Sequence, residues 1–290
     1  MTTKKEQNRG SIAIPFLMTM LVTLVLLGGA AFFFLDKLLD EDNNSSTSGN
    51  FSPVYKPDAD SSRTLLAVFD NGSLETDLDF VIIGTMPSEL KIISMMVPVT
   101  TTVTLDGETT SLAAVYRSGG ITALRDSIES VFGIEIDKHA RLDALALERV
   151  HSILGGVTAN VPQGIADMPS GKTGLNAEQF IMLLTYPNYS AGERYRTTFA
   201  SSTFSTMLNY GLRESLVSRL DMSFDSLIDL ISTDITALDY RNDKSAFAYL
   251  LENRINDVQI RIIPGAWNEN AFTPSDTASE QIKTWFEVDG

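Results

Sequence analysis

Cysteine is absent from this 290-residue chain. That excludes disulfides, thiol redox chemistry and thiolate metal sites, and leaves apolar burial to hold any exported part together. Histidine is almost absent as well: His139 and His151 are the only two. They lack ligand spacing such as His-x-x-x-His and read as structural residues. Basic residues are scarce, with 22 Lys and Arg against 37 Asp and Glu and a formal charge of −15. No Lys/Arg cluster occurs beyond the first ten residues, so the basic stripe required by a nucleic-acid partner is missing. Neither a Gly-x-Ser-x-Gly elbow nor a Cys nucleophile is present, and the sequence names no catalytic residue.

What is present is an unbroken apolar run over residues 11–35, preceded by Lys4, Lys5 and Arg9 and followed by Asp36, Asp40, Glu41 and Asp42. As a helix it would extend roughly 37 Å, enough to cross a hydrocarbon core of ~30 Å with some tilt. The cationic flank predicts a cytoplasmic N-terminus, residues 1–10, and a single-pass anchor with everything after it extracellular. A cleaved signal peptide ending near Gly29-Ala30-Ala31 is the competing reading, but Phe32, Phe33, Phe34 and Leu35 extend the run beyond an ordinary signal core. Residues 36–60 read as an extracellular linker rich in Asp, Asn, Ser and Thr, with Pro53 and Pro57. An exported, cysteine-free domain suits a Gram-positive-like surface.

From Thr64 the pattern changes. Short β-branched runs at 65–69, 80–83, 90–96 and 101–105 are separated by Asp70-Asn71-Gly72, Pro87-Ser88 and Asp106-Gly107, and predict buried strands. Helical spacing follows at 121–132, with Gly133 as the stop, then a short strand at 139–142, a helix at 144–154 and a strand at 157–161. Asn176 and Gln179 form a capping-box pattern for a helix through Leu184. Helices are expected at 197–220, 223–231 and 244–256, with a last strand at 258–263 and a peripheral cover or frayed tail beyond it. Strands alternating with helices indicate an α/β domain.

Residues 166–173, Ala-Asp-Met-Pro-Ser-Gly-Lys-Thr, satisfy a relaxed phosphate-loop pattern. Ala166 replaces the first glycine, Pro169 removes an amide donor and Gly174 interrupts any helix opening at Lys172, so no ATP site is expected. Asp77 and Asp79 stand at a strand entry where carboxylates could hold a hard cation such as Mg²⁺. Arg117, Arg194 and Arg196 are the candidates for gripping an anionic group such as phosphate. A solvated strand entry and ordinary surface arginines are the plainer readings.

Taken in order, these segments resemble the LytR-CpsA-Psr family of envelope proteins. The resemblance is carried by Glu75-Thr76-Asp77 and the following strand, Met96-Val97-Pro98, Val115-Tyr116-Arg117-Ser118-Gly119-Gly120, Phe132-Gly133-Ile134-Glu135-Ile136-Asp137, Leu154-Gly155-Gly156-Val157 and residues 171–179. A weaker echo lies at Ile262-Ile263-Pro264-Gly265. It implies a mixed β-sheet covered by helices over residues 61–220, with 221–290 as a helical part and last strand packed on the same domain. It also implies transfer of anionic glycopolymers from a polyprenyl-pyrophosphate carrier to peptidoglycan, with arginines around the pyrophosphate and Asp-held Mg²⁺. Several expected arginines are replaced: Glu75 stands in the Arg-x-Asp position, Val99-Thr100 follows the proline, and Thr185, Pro187, Thr197 and Thr198 fall near other arginine positions. Each lost charge-stabilising donor costs ~3–4 kcal/mol of barrier. The expectation is therefore a divergent member that binds polyprenyl-linked precursors or wall partners with weak or lost catalysis; the alternative is an active Mg²⁺-dependent ligase.

Overall fold

The computed structural model describes residues 55–70, 78–105, 107–165 and 167–287. The expected membrane span at 11–35, most of the linker, and Asp77 lie outside the described residues. Among the described residues no helix is long and apolar enough to cross a membrane.

A six-stranded mixed sheet forms the centre. Its strands are β1 (Arg63–Phe69), β2 (Phe80–Met86), β3 (Lys91–Val97), β6 (Lys138–Leu142), β9 (Ser232–Thr233) and β10 (Gln259–Arg261), in the spatial order β10-β3-β2-β1-β6-β9. β2 runs antiparallel to both β1 and β3, whereas β6 joins β1, and β10 joins β3, in parallel. Three two-stranded units flank it: β4 (Thr102–Leu105) with β5 (Glu108–Ser111), β7 (Val157–Val161) with β8 (Gly171–Leu175), and β11 (Gly265–Asn268) with β12 (Ala271–Pro274).

Period-two alternation sends the strand side chains into two separate apolar cores, which is why these strands read as continuous hydrophobic runs. Leu66, Val68, Phe80, Ile82, Met95 and Val97 enter one core, closed by α1 (Leu112–Phe132) and α8 (Ala278–Phe286). Ala67, Val81, Ile92 and Met96 enter the other. That second core is closed by α2 (Ala144–Leu154), α3 (Ala177–Thr185), α4 (Glu193–Gly211), α5 (Glu214–Val217), α6 (Leu220–Ile228) and α7 (Ala237–Asn253). The mixed α/β layers agree with the expectation.

The helix predicted at 121–132 begins nine residues earlier, at Leu112. Gly120 adopts φ 66°, ψ −159° inside it and kinks α1 there; this backbone region belongs almost exclusively to glycine. The capping box forms as expected: the Gln179 amide donates to Asn176 and the Asn176 amide to Gln179. The phosphate-loop-like stretch ends in strand β8, paired with β7, which removes the helix such a loop requires. The expected helix at 197–220 is divided: α4 ends at Gly211, and α5 and α6 follow. Of the peripheral cover or frayed tail expected beyond residue 263, the structure has the β11/β12 hairpin and α8, whose Ile282 is fully buried.

Candidate functional site

The site grows from α4. Its inward face carries Arg196, Ala200, Thr203 and Met207, all buried and spaced as one helix face requires. Most of that face is small or apolar, and Arg196 is the exception. Its guanidinium reaches Asp79, one residue before β2, at 2.7 Å and Glu193 one turn back at 2.5 Å. Asp79 Oδ1 also accepts the Val99 amide at 3.2 Å, and Oδ2 accepts the Thr197 hydroxyl at 2.7 Å. Asp79 and Arg196 are each only 3% exposed. Burial pushes the Asp79 carboxyl above the usual carboxylate range, while Arg196, Thr197 and Val99 oppose that rise. For Arg196 burial disfavours the charge, but Glu193 and Asp79 outweigh it and hold the guanidinium above its ordinary value.

Two cavities meet beside this pair, at Met96. A small apolar cleft of about 60 Å³ lies between the sheet and the helices of the second core. Ala67, Val81, Leu147 and Phe204 are among its walls, and Asp79 and Met96 stand at its polar end. A groove of about 460 Å³ begins at Met96 and Pro98, running between α4 and the turn that leads from β10 into β11. Thr197 lines the groove while its hydroxyl holds Asp79, so one residue couples the two spaces.

The predicted residues separate in this geometry. Arg194 is exposed and lines the groove. Arg196 is committed to Asp79 and Glu193 and does not join Arg194. Arg117 projects from α1, exposed, and is not among the described residues lining either cavity. Asp79 faces Arg196 with both oxygens accepting protein donors. The described residues do not fit a Mg²⁺ site, because a guanidinium stands where a cation would approach Asp79 and no group of three His, Asp or Glu is gathered among them. His151 is buried, within 3.1 Å of the Leu175 carbonyl, and His139 pairs with Asp234 at 3.1 Å.

Sequence reading missed Arg261 and Trp267, on the groove wall opposite Arg194. The available signal was the Pro264-Gly265 turn, which brings an arginine and a tryptophan within a few residues of each other.

The LytR_cpsA_psr family matches residues 60–286. The chain belongs to the LytR-CpsA-Psr family. Members act in attaching glycopolymers to the cell wall. Solved structures share the fold. A protein from Eubacterium siraeum described as a transcription regulator superposes with TM-score 0.71 at 18% identity, covering 83% of this chain and 97% of its own. TagV of B. subtilis gives TM-score 0.61 at 16% identity, over 78% and 95% of the two chains. TagT, solved bound to LI-WTA, gives 0.61 at 14% identity, over 80% and 92%. No curated protein matches this chain significantly. At the buried site of this chain one arginine is neutralised by two carboxylates.

Proposed function

We propose that this protein is a membrane-anchored, extracellular member of the LytR-CpsA-Psr family that binds polyprenyl-linked envelope glycopolymer precursors with little or no transfer chemistry. One observation carries the reading: an apolar cleft and a polar groove share Met96 and are joined through Asp79 and Thr197. That pairing suits a molecule with a short apolar segment beside an anionic polar head. The cleft walls are aliphatic and aromatic, and the hydrophobic effect contributes about 0.8 kcal/mol for each CH₂ the segment buries.

Weak catalysis follows from the charges. Phosphoryl transfer is accelerated by cations aimed at developing negative charge. Here Arg196 already faces two carboxylates, and Arg194 lines the groove instead of joining it. The apolar run at 11–35 would hold the domain at the outer leaflet and raise its effective concentration near lipid-linked precursors.

The test uses full-length protein in detergent, titrated with undecaprenyl pyrophosphate by calorimetry and then incubated with Mg²⁺ and a lipid-linked glycopolymer. Saturable binding without turnover is expected. Absence of binding would refute the carrier reading. Turnover abolished by Arg194→Ala would replace the binder with the Mg²⁺-dependent ligase, working through Asp77 and the exposed arginines.

A further inference from the structure

One edge of the central sheet is open. β10 ends the strand order β10-β3-β2-β1-β6-β9, and no described strand pairs with its outer side. An edge of this kind presents unpaired backbone N–H and C=O groups and is a template for another strand; Lys and Pro are the residues that commonly blunt it. Neither interrupts residues 257–263, which read Asp-Val-Gln-Ile-Arg-Ile-Ile. The edge is also unusually apolar where it meets solvent. Ten large apolar side chains are exposed among the described residues, and three of them, Ile255, Ile260 and Ile262, fall within eight positions here. Such a concentration marks an interaction surface.

The alternation of side chains along the edge determines what can pair with it. β10 runs parallel to β3, with Gln259 beside Ile93 and Arg261 beside Met95, so these two side chains take the sheet face closed by α1 and α8. Accordingly the Arg261 guanidinium lies 5.4 Å from the Trp285 ring centroid on α8, and its Nη2 donates to Gln259 Oε1. Val258 takes the opposite face and is buried in the second core, which puts Ile260 on that side as well. Continuing the same period back from β10 sets Asp257 with Gln259 and Arg261. Asp257 is exposed and makes no hydrogen bond or ion pair among the described residues, and Arg261 Nε has no partner among them either. Four positions apart on an extended chain, the two charges are separated by about 13 Å and do not satisfy one another.

A second copy of the same edge satisfies both. Two identical edges related by a two-fold axis run antiparallel, and each contact occurs twice. An axis at Gln259 opposes Gln259 to its own copy, Val258 to Ile260 and Asp257 to Arg261. Moving the axis one residue, to Ile260, would instead oppose Asp257 to the apolar Ile263 and Arg261 to Gln259. Opposite charges directly across an antiparallel pair are favourable and like charges are not, so the charges select the first register. We infer that β10 is a self-association edge: two copies of this chain pair antiparallel through residues 257–261 and join their six-stranded sheets into one of twelve strands. Arg261 and Ile262 also line the groove beside α4, so this pairing sets two grooves along one seam.

The absence of cysteine gives a clean background for cross-linking. Full-length Gln259→Cys in detergent should form a disulfide-linked dimer on mild oxidation, because directly opposed residues of an antiparallel pair have Cα atoms about 4.5–5.5 Å apart, within disulfide reach. Ser232→Cys, exposed on the strand at the other edge of the sheet, should stay monomeric. Charge reversal then tests the register by sedimentation. Asp257→Lys sets a lysine against Arg261, and Arg261→Asp sets an aspartate against Asp257, so each variant alone should associate at least tenfold more weakly than the native protein. Mixed, the two should recover native-like association, since every charge on one then faces its opposite on the other; that recovery also shows that both variants are folded. A monomeric native protein, equal cross-linking at the two cysteine positions, association that neither reversal weakens, or a mixture that fails to associate would overturn the inference.

Discussion

Replacing Arg196 with alanine would leave Asp79 buried without its counter-ion, and the cost can be worked from the surroundings. Asp79 is 3% exposed, and after the change only the Val99 amide and the Thr197 hydroxyl would still donate to it. The stranded carboxyl escapes by binding a proton. Raising a group from its ordinary value of 3.8 to neutrality at pH 7 costs about 4 kcal/mol, at ~1.36 kcal/mol per pH unit. The same step costs about 1.6 kcal/mol at pH 5. Because burial already pushes Asp79 upward in the native protein, these figures are upper bounds, and the first agrees with the ~3–5 kcal/mol typical of breaking a buried ion pair. Urea denaturation of the full-length protein in detergent, followed through Trp267 and Trp285, should therefore show a destabilisation that shrinks by more than half between pH 7 and pH 5. Arg196→Met combined with Asp79→Asn should recover most of the loss, since the buried charge is removed. A loss below about 1 kcal/mol, or one independent of pH, would refute the view that this pair is a closed, mutually neutralising unit.

Other outcomes follow from single contacts. Gly211→Ala would place a methyl 2.4 Å from Leu154 Cβ and 2.5 Å from its Cα, where α4 crosses α2; it should cost about 1–3 kcal/mol by overpacking in the same denaturation assay. Gly120→Ala forces a side chain onto φ 66° and should cost about 1–3 kcal/mol through backbone strain, although open space surrounds that position. Hydrogen bonds from Thr236 and the pairing with Lys138 hold Asp239 below the ordinary carboxylate value of 3.8. Its folded value lies below its unfolded value, so its contribution is present above pH 3.8 and lost as pH falls further. Asp239→Asn should flatten the acid side of a stability-versus-pH curve and leave its slope above pH 5 unchanged.

Much of the sheet could be read from the chain because each central strand buries both faces. Runs such as Phe80-Val81-Ile82-Ile83 are apolar at every position and leave no alternative period. The helix at 144–154 and the strand at 157–161 match their predicted bounds, with Asp143 capping the first and Gly155 ending it. Local chemistry did not reveal β8. Gly171-Lys172-Thr173-Gly174 has no apolar alternation, and becomes a strand only by pairing with β7. The first half of α1 was not read as helix: the expected helix began only at Ile121, just after Gly119-Gly120, where the structure has a kink at Gly120.

The site was less legible than the fold. Arg194 and Arg196 are two residues apart, yet a helix turns them to different surroundings: one toward the groove, the other toward Asp79, 117 positions away in sequence. Whether an arginine is committed to a carboxylate is a property of tertiary packing, and no spacing within α4 discloses it. Arg261 and Trp267 escaped for the related reason that β10 joins the sheet beside β3.

The most direct measurement compares undecaprenyl pyrophosphate binding by the full-length protein with binding by Ala67→Phe, which fills the apolar cleft from β1. The carrier reading predicts saturable binding by the native protein and a loss of about tenfold or more in the variant, the equivalent of burying two fewer CH₂ groups. Equal binding by both proteins, or none by either, would contradict it.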